Sequence, residues 1–235
     1  MISVLMTSYN RPQFLTQCVE ALRSALDQTQ YELIISDDCS EPQHLKLIEA
    51  VKPDVLLTNT QRRGMGANLN RAIQAARGDY HLILQDDFRA RCALNLRVAE
   101  AVMLLDVEPD TDTVRLGSPM DSRRFYPEHH GVDTRAFIMV NFVEERRGQI
   151  VRVTAKQGAE DHSFVYSDNP HIRRATFLDK FGWYPEGLSM SDTEIAYMRR
   201  CNKLGIRAAW NVELEQFPLF DHIGHDLSCR EHWGL

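Results

Sequence analysis

Three groups of residues in this chain have the types and spacing to do chemistry. The first is the acidic pair Asp86–Asp87, which ends the apolar run Leu82, Ile83, Leu84. Adjacent like charges repel, and burying them unpaired is costly. A solvated strand end where aspartate starts a turn is one account of such a pair. A divalent cation site is the other: hard cations take carboxylate oxygens, and magnesium or manganese often joins one or two carboxylates to substrate phosphates. The second group is "SDTE", residues 191 to 194. Ser191 and Glu194 have the spacing of a capping box, and Asp192 in a first helical turn favours the helix dipole. The third is a pair of histidines near the C-terminal end, His222 and His225.

The elements that must position these groups read clearly in the first half. "ISVLMT", "YELIIS", "DVLLTNT" and "YHLILQ" are short apolar runs with strand character. Between them lie helical stretches. "RPQFLTQCVEALRSAL" places Phe14, Cys18, Val19, Leu22 and Leu26 on one face, with Asn10 as its cap and Pro12 in its first turn. "EPQHLKLIEAV" follows, then "GANLNRAIQAARG", with Gly78 as a C-terminal stop. Strands alternating with helices predict an α/β protein with a mostly parallel sheet flanked by helices. Ligands of such sheets bind beyond the carboxyl ends of the strands. Thr7, Ser8, Tyr9 and Asn10, then Asp37 and Asp38, then Asp86 and Asp87 are therefore expected on one rim, opening into a shared cleft. The second half is less regular. "AFIMVNFV" is a strong strand among charge clusters, and "SDTEIAYMRRCNKLG" is a helix with Ile195, Met198 and Leu204 inward and Gly205 as its stop.

Composition narrows the class. The 235 residues are 43% hydrophobic and 26% charged, and the formal net charge is -6. These are ordinary values for a globular domain, and the charge gives no polybasic footprint for nucleic acid. No twenty-residue apolar span predicts a membrane helix, and the N-terminus reads as a strand rather than a signal peptide. Five widely spaced cysteines without a C-x-x-C argue for buried free thiols in a reducing cytoplasm.

"SVLMTSYNRP", "ELIISDDCSE" and "GMGANLNRAIQAARGDYHLILQDD", in that order, resemble the nucleotide-sugar-binding half of the family 2 glycosyltransferases, which have the GT-A fold; the resemblance covers residues 1 to 90 and resumes at "SMSDTEIAYMRRCNKLG". It implies a single GT-A domain with a nucleotide-sugar-binding half (1–105), an acceptor-side half (106–215) and a C-terminal tail or lid (216–235). It also implies roles. Thr7 and Tyr9 hold the nucleoside, Tyr9 by stacking, and Asp38 accepts a hydrogen bond from the base. Asp86 contacts ribose or sugar, Asp87 ligates a divalent Mn2+ or Mg2+, and Asp192 is the catalytic base. His222 is a candidate metal ligand with His225 as its substitute. The last position of the acidic motif is usually acidic or polar in the family; here it is Phe88.

The expected activity is inverting, metal-dependent transfer of a sugar from a nucleotide sugar, UDP-sugar foremost, to a saccharide, lipid-linked or protein acceptor. A peripheral membrane association is compatible with it. The alternatives are a sugar-phosphate nucleotidyltransferase, against which the glycine-free "MTSYNRPQ" argues, and a non-catalytic nucleotide- or sugar-binding protein. Arg62, Arg63 and Arg71 are candidates for donor phosphates or for a solvated basic surface. Trp183 and Tyr184 are candidates for stacking on a sugar or for core. "HIGH" at 222–225 lies too far along the chain for a synthetase signature, and "GMGANL" has Leu69 where a dinucleotide loop has its third glycine.

Overall fold

The computed structural model describes residues 1–117, 142–155, 165–215 and 217–224. Among these residues nine strands form one sheet in the order β3-β2-β1-β4-β9-β6-β10-β8-β7. They are β1 (Ile2–Ser8), β2 (Tyr31–Asp37), β3 (Val55–Thr58), β4 (Tyr80–Gln85), β6 (Thr113–Arg115), β7 (Phe142–Arg147), β8 (Ile150–Ala155), β9 (His171–Arg174) and β10 (Arg207–Asn211). The pairings set β9 and β8 against the other seven, so the sheet is mainly parallel. A second, two-stranded sheet joins β5 (Phe88–Ala90) to β11 (Phe220–His222).

The helices are α1 (Pro12–Ala25), α2 (Pro42–Ala50), α3 (Met65–Ala75), α4 (Asn95–Val107), α5 (Phe177–Phe181) and α6 (Met190–Lys203). Continuous apolar runs suit strands covered on both faces. Val4, Leu5 and Met6 of β1 and Leu82, Ile83 and Leu84 of β4 are all buried. Each such side chain contributes about 1.5–3 kcal/mol relative to exposure. On α1 the buried face is Leu15, Cys18, Val19, Leu22 and Ala25; Phe14 is only half-buried, because Leu15 takes the core position. No helix among the described residues is long and apolar enough to cross a membrane.

Several local expectations shift. Asn10 does not cap α1. It has a left-handed backbone (φ 53) and its Oδ1 accepts from Glu41 N at 2.9 Å, so it ties the first loop to the start of α2. Gly78 is no helix stop either. A Cβ there would lie 2.6 Å from Ser3 N, so the glycine is required by close approach to β1. Gly205 does end α6, with φ +70. In α6 Met198 is buried with Tyr197 and Cys201, whereas Leu204 is 46% exposed. Of the cysteines, Cys18 and Cys201 are buried, but Cys92 is exposed. Most of "AFIMVNFV", along with His225, lies outside the described residues.

Candidate functional site

The carboxyl ends of β1, β2 and β4 adjoin, with Thr7 in register with Ser36 on one side and Gln85 on the other. Because β9 runs against β4, the segment 167–170 leading into it reaches the same rim. Thr7 and Tyr9 stay partly accessible, and the Arg62 guanidinium lies 4.3 Å above the Tyr9 ring. The acids do not open freely into a cleft. Asp38 is 5% exposed, and Asp86 and Asp87 are 1% exposed each.

Asp38 is buried because it organises the loop before α3. Its Oδ1 accepts from Asn59 Nδ2 at 3.0 Å and Arg63 N at 2.8 Å, and its Oδ2 accepts from Gly64 N at 2.8 Å. Gly64 (φ +85) turns the chain into α3. Arg63 and Arg71 also have protein partners: Arg63 lies 3.8 Å from Glu186, and Arg71 donates to Asn59 Oδ1 at 2.5 Å.

Asp86 and Asp87 are covered from two sides. Arg11, at the start of α1, spans them: Nη2 is 2.7 Å from Asp86 Oδ1 and Nη1 is 2.8 Å from Asp87 Oδ2. From the other side β11 brings His222 Nε2 to 3.3 Å from Asp87 Oδ2. Phe88 takes no polar role. Its ring stacks on His222 (centroids 4.5 Å apart, planes 8° apart), and the two residues are paired across β5 and β11. Gly224 closes over the pair, since a Cβ there would sit 2.4 Å from Asp87 Oδ2. Burial raises the Asp86 carboxyl to about 7 against the pull of Arg11, with Asp87 adding to the rise. Burial works against Asp87 too, but the His222 hydrogen bond and the Arg11 charge hold it below the usual carboxylate range.

A divalent cation fits part of this arrangement. Among the described residues no group of three or more His, Cys, Asp or Glu side chains converges on one point. Asp87 and His222 nevertheless present two donors side by side, and the buried Asp86 Oδ2 and Asp87 Oδ1 have no hydrogen-bond partner. Carboxylate and imidazole suit manganese, and magnesium or manganese sites commonly leave the remaining positions to phosphate and water.

A second group of carboxylates lies at the start of α6 and in the turn before β9. Ser189, not Ser191, caps α6: its Oγ accepts from Asp192 N at 3.1 Å and donates to Asp192 Oδ2 at 2.7 Å. Asp192 is therefore an exposed carboxylate held at the first turn. Glu194 is not part of the cap. Its Oε1 accepts from Asp168 N at 3.2 Å and from Ser167 Oγ at 3.3 Å. Asp168 Oδ1 accepts from Tyr166, whose hydroxyl meets that of Tyr184, which in turn accepts from Arg173 Nη1 at 3.0 Å. Burial, then the charge of Glu194, pushes the Asp168 carboxyl up to about 8; burial also raises Glu194. Tyr184 is thus core, stacked on Tyr197 at 3.9 Å, while Trp183 is 48% exposed.

The start of α6 packs closely against α3. A Cβ on Gly66 would lie 2.0 Å from the Pro185 carbonyl oxygen and 3.2 Å from Thr193 Cγ2. Sequence reasoning missed Arg11 and Asp168. The signal for Arg11 was its place one residue past the β1 rim, beside the strand that ends in the acidic pair. Asp168 had none before β9 was placed.

A mainly parallel sheet with an acidic pair at the end of its fourth strand and an antiparallel strand inserted beside it is the GT-A architecture. Residues 3–91 match the model of glycosyl transferase family 2. Among curated relatives, the uncharacterized glycosyltransferase YfnE of Bacillus subtilis is 25% identical over 76% of this chain and 42% of its own length. Poly(ribitol-phosphate) beta-N-acetylglucosaminyltransferase TarS of Staphylococcus aureus is 28% identical over 84% of this chain and 32% of its own. The chain thus spans less than half the length of either relative. The structure of TarS 1-349 with UDP-GlcNAc superposes with a TM-score of 0.62 at 17% identity, covering 95% of this chain and 60% of that one. Glucosyl-3-phosphoglycerate synthase from Mycobacterium tuberculosis, in complex with Mn2+, UDP and glucosyl-3-phosphoglycerate, gives 0.56 at 16% identity, covering 90% and 70%. At these identities the superpositions define the fold.

Proposed function

We propose that the chain transfers a sugar, with inversion, from a UDP-sugar to an acceptor hydroxyl, with a divalent cation held by Asp87 and His222. The observation that carries this reading is the meeting of Thr7, Tyr9, Asp38 and the Asp86–Asp87 pair at adjoining strand ends, within the segment matched to the family. The solved relatives whose fold it shares include one with UDP-GlcNAc and one with UDP and Mn2+.

Each residue has a defined task. Tyr9 offers its ring face to the base, with Arg62 displaced or stacked outside it. Asp38 holds the 59–64 loop beside the nucleoside and keeps lone pairs for the base N–H. Asp86 orients ribose or sugar. A divalent ion at Asp87 and His222 would supply positive charge for the leaving diphosphate. In the transfer, the acceptor oxygen bonds to the anomeric carbon and the bond from that carbon to the diphosphate breaks. The nucleoside diphosphate leaves, and the acceptor proton passes to Asp192 as general base. The Ser189 cap fixes that carboxylate at the helix start.

The test is UDP release from a panel of UDP-, GDP- and ADP-sugars with Mn2+, Mg2+ or chelator. UDP formed from a UDP-sugar and suppressed by chelator is the expected result. Consumption of nucleoside triphosphate with a sugar phosphate would point to a nucleotidyltransferase. Binding without turnover would point to a carrier of nucleotide or sugar.

A further inference from the structure

The acid pair already has a cation. The two Nη atoms of Arg11 contact different carboxylates, at 2.7 and 2.8 Å, and both carboxylates are buried. Two buried adjacent acids without compensating charge would take up a proton rather than stay ionised. Arg11 offsets one of the two charges. Phe88, where the motif would otherwise carry an acid or polar group, adds none. A divalent ion at Asp87 would face this guanidinium within contact range, and the two positive charges repel. The Arg11 side chain reaches the surface, with 26% of it exposed.

Formal charge decides when the exchange is favourable. With both carboxylates ionised, the pair and Arg11 together carry one net negative charge. Adding a divalent ion alone makes the site net positive, and adding a doubly negative nucleotide-sugar diphosphate alone makes it strongly negative. Adding both returns it to one net negative charge. Diphosphate oxygens are also a good receptor for a guanidinium released from the carboxylates, because arginine suits bidentate phosphate contacts.

We propose that Arg11 is the resident, exchangeable counter-cation of Asp86 and Asp87: it holds the pair in the absence of donor and passes to the diphosphate when donor and divalent ion enter together. The proposal rests on the nucleotide-sugar reading for its second half only. Arg11 is here a positioning residue, and the metal's access to the pair is conditional on it.

The experiment is Mn2+ titration followed by electron paramagnetic resonance, on the whole chain, with and without UDP. The proteins are wild type, Arg11→Ala and Arg11→Gln, each checked for folding by circular dichroism. The glutamine variant keeps a donor without charge and serves if the alanine variant does not fold. Without UDP, the neutral variants are expected to bind Mn2+ at least tenfold more tightly than wild type. UDP is expected to tighten Mn2+ binding far more in wild type than in the variants. Equal Mn2+ affinity for wild type and either folded variant without UDP overturns the proposal. If the variant difference persists but UDP changes nothing in any protein, the counter-cation stands, and the exchange onto diphosphate and the nucleotide-sugar reading both fall.

Discussion

Replacing Asp38 with alanine is expected to damage the fold of the site before it damages any contact with a base. The side chain is 5% exposed and accepts three hydrogen bonds, from Asn59 Nδ2, Arg63 N and Gly64 N. Alanine leaves the two backbone N–H groups without their partner, in a turn fixed by Gly64 at φ +85. Each of the three lost bonds, partly recovered by water in this half-buried loop, costs about 0.7–1.3 kcal/mol, or about 2–4 kcal/mol in all. For a domain of this size each kcal/mol lowers the melting temperature by about 2–4 °C, so a fall of about 5–15 °C is expected. Asp38→Asn keeps the Oδ1 acceptor but turns an amide N–H toward Gly64 N–H, and about half the loss is expected. The loop also carries Arg62 over Tyr9, so nucleotide affinity should fall in step with stability. Urea and thermal unfolding, with calorimetry against UDP, measure both. An alanine variant that melts within about 2 °C of wild type would refute the structural role of this carboxylate.

Three further outcomes follow from α6, its crossing with α3 and the buried ionisable groups. Gly66→Ala forces apart α3 and the 185–188 segment, because the new Cβ would lie 2.0 Å from a backbone oxygen; a loss of about 3 kcal/mol in urea unfolding is expected, and a neutral effect would disprove the tight crossing. Asp192→Asn should change stability by no more than about 1 kcal/mol while lowering turnover roughly 10²–10⁴-fold with donor binding intact; undiminished turnover would remove Asp192 as the base. The pH dependence of stability has opposing arms. Asp168, facing Glu194, Tyr166 and Arg173, is raised to about 8, so its contribution is fully present below its unfolded value of about 3.9 and is lost as pH rises through about 8. Burial, reinforced by Arg173, lowers His81 to about 4 and His171 to about 3, so theirs is present above about 6.5 and is lost as pH falls. Melting curves from acid to alkaline pH should show Asp168→Asn keeping the acid-side loss and flattening the alkaline one; an unchanged alkaline slope would count against this assignment.

The first half of the fold was legible because its signal is local. Apolar runs such as Leu82–Leu84 are buried on both faces, and their carboxyl ends must share a rim once the sheet is parallel. What the rim does with its charges was not legible. Asp38 reads as an open-rim acid, yet the 59–64 loop folds over it; Asp86 and Asp87 read as opening into a cleft, yet Arg11 and Gly224 close them. These partners are 76 and 135 residues from Asp87 for Arg11 and His222 respectively, beyond any periodicity. The cap of α6 was displaced by two residues because Ser189 and Ser191 both precede an acid at cap spacing, and only the backbone decides between them.

The position of β9 has a consequence for biosynthesis. This strand covers the edge of β4 and supplies the link to β6, but it is made from residues 171–174. During synthesis, β1 to β4 can pair as soon as they emerge, while the exposed edge of β4 must wait for some ninety further residues. Unpaired edges of this kind template wrong pairing, and pairing over long sequence separations is slow. The unit of β1 to β4 is therefore not a self-sufficient module. A fragment cut near residue 105 would present β4 bare, open to wrong edge pairing, and would lack the β11 strand that covers Asp87.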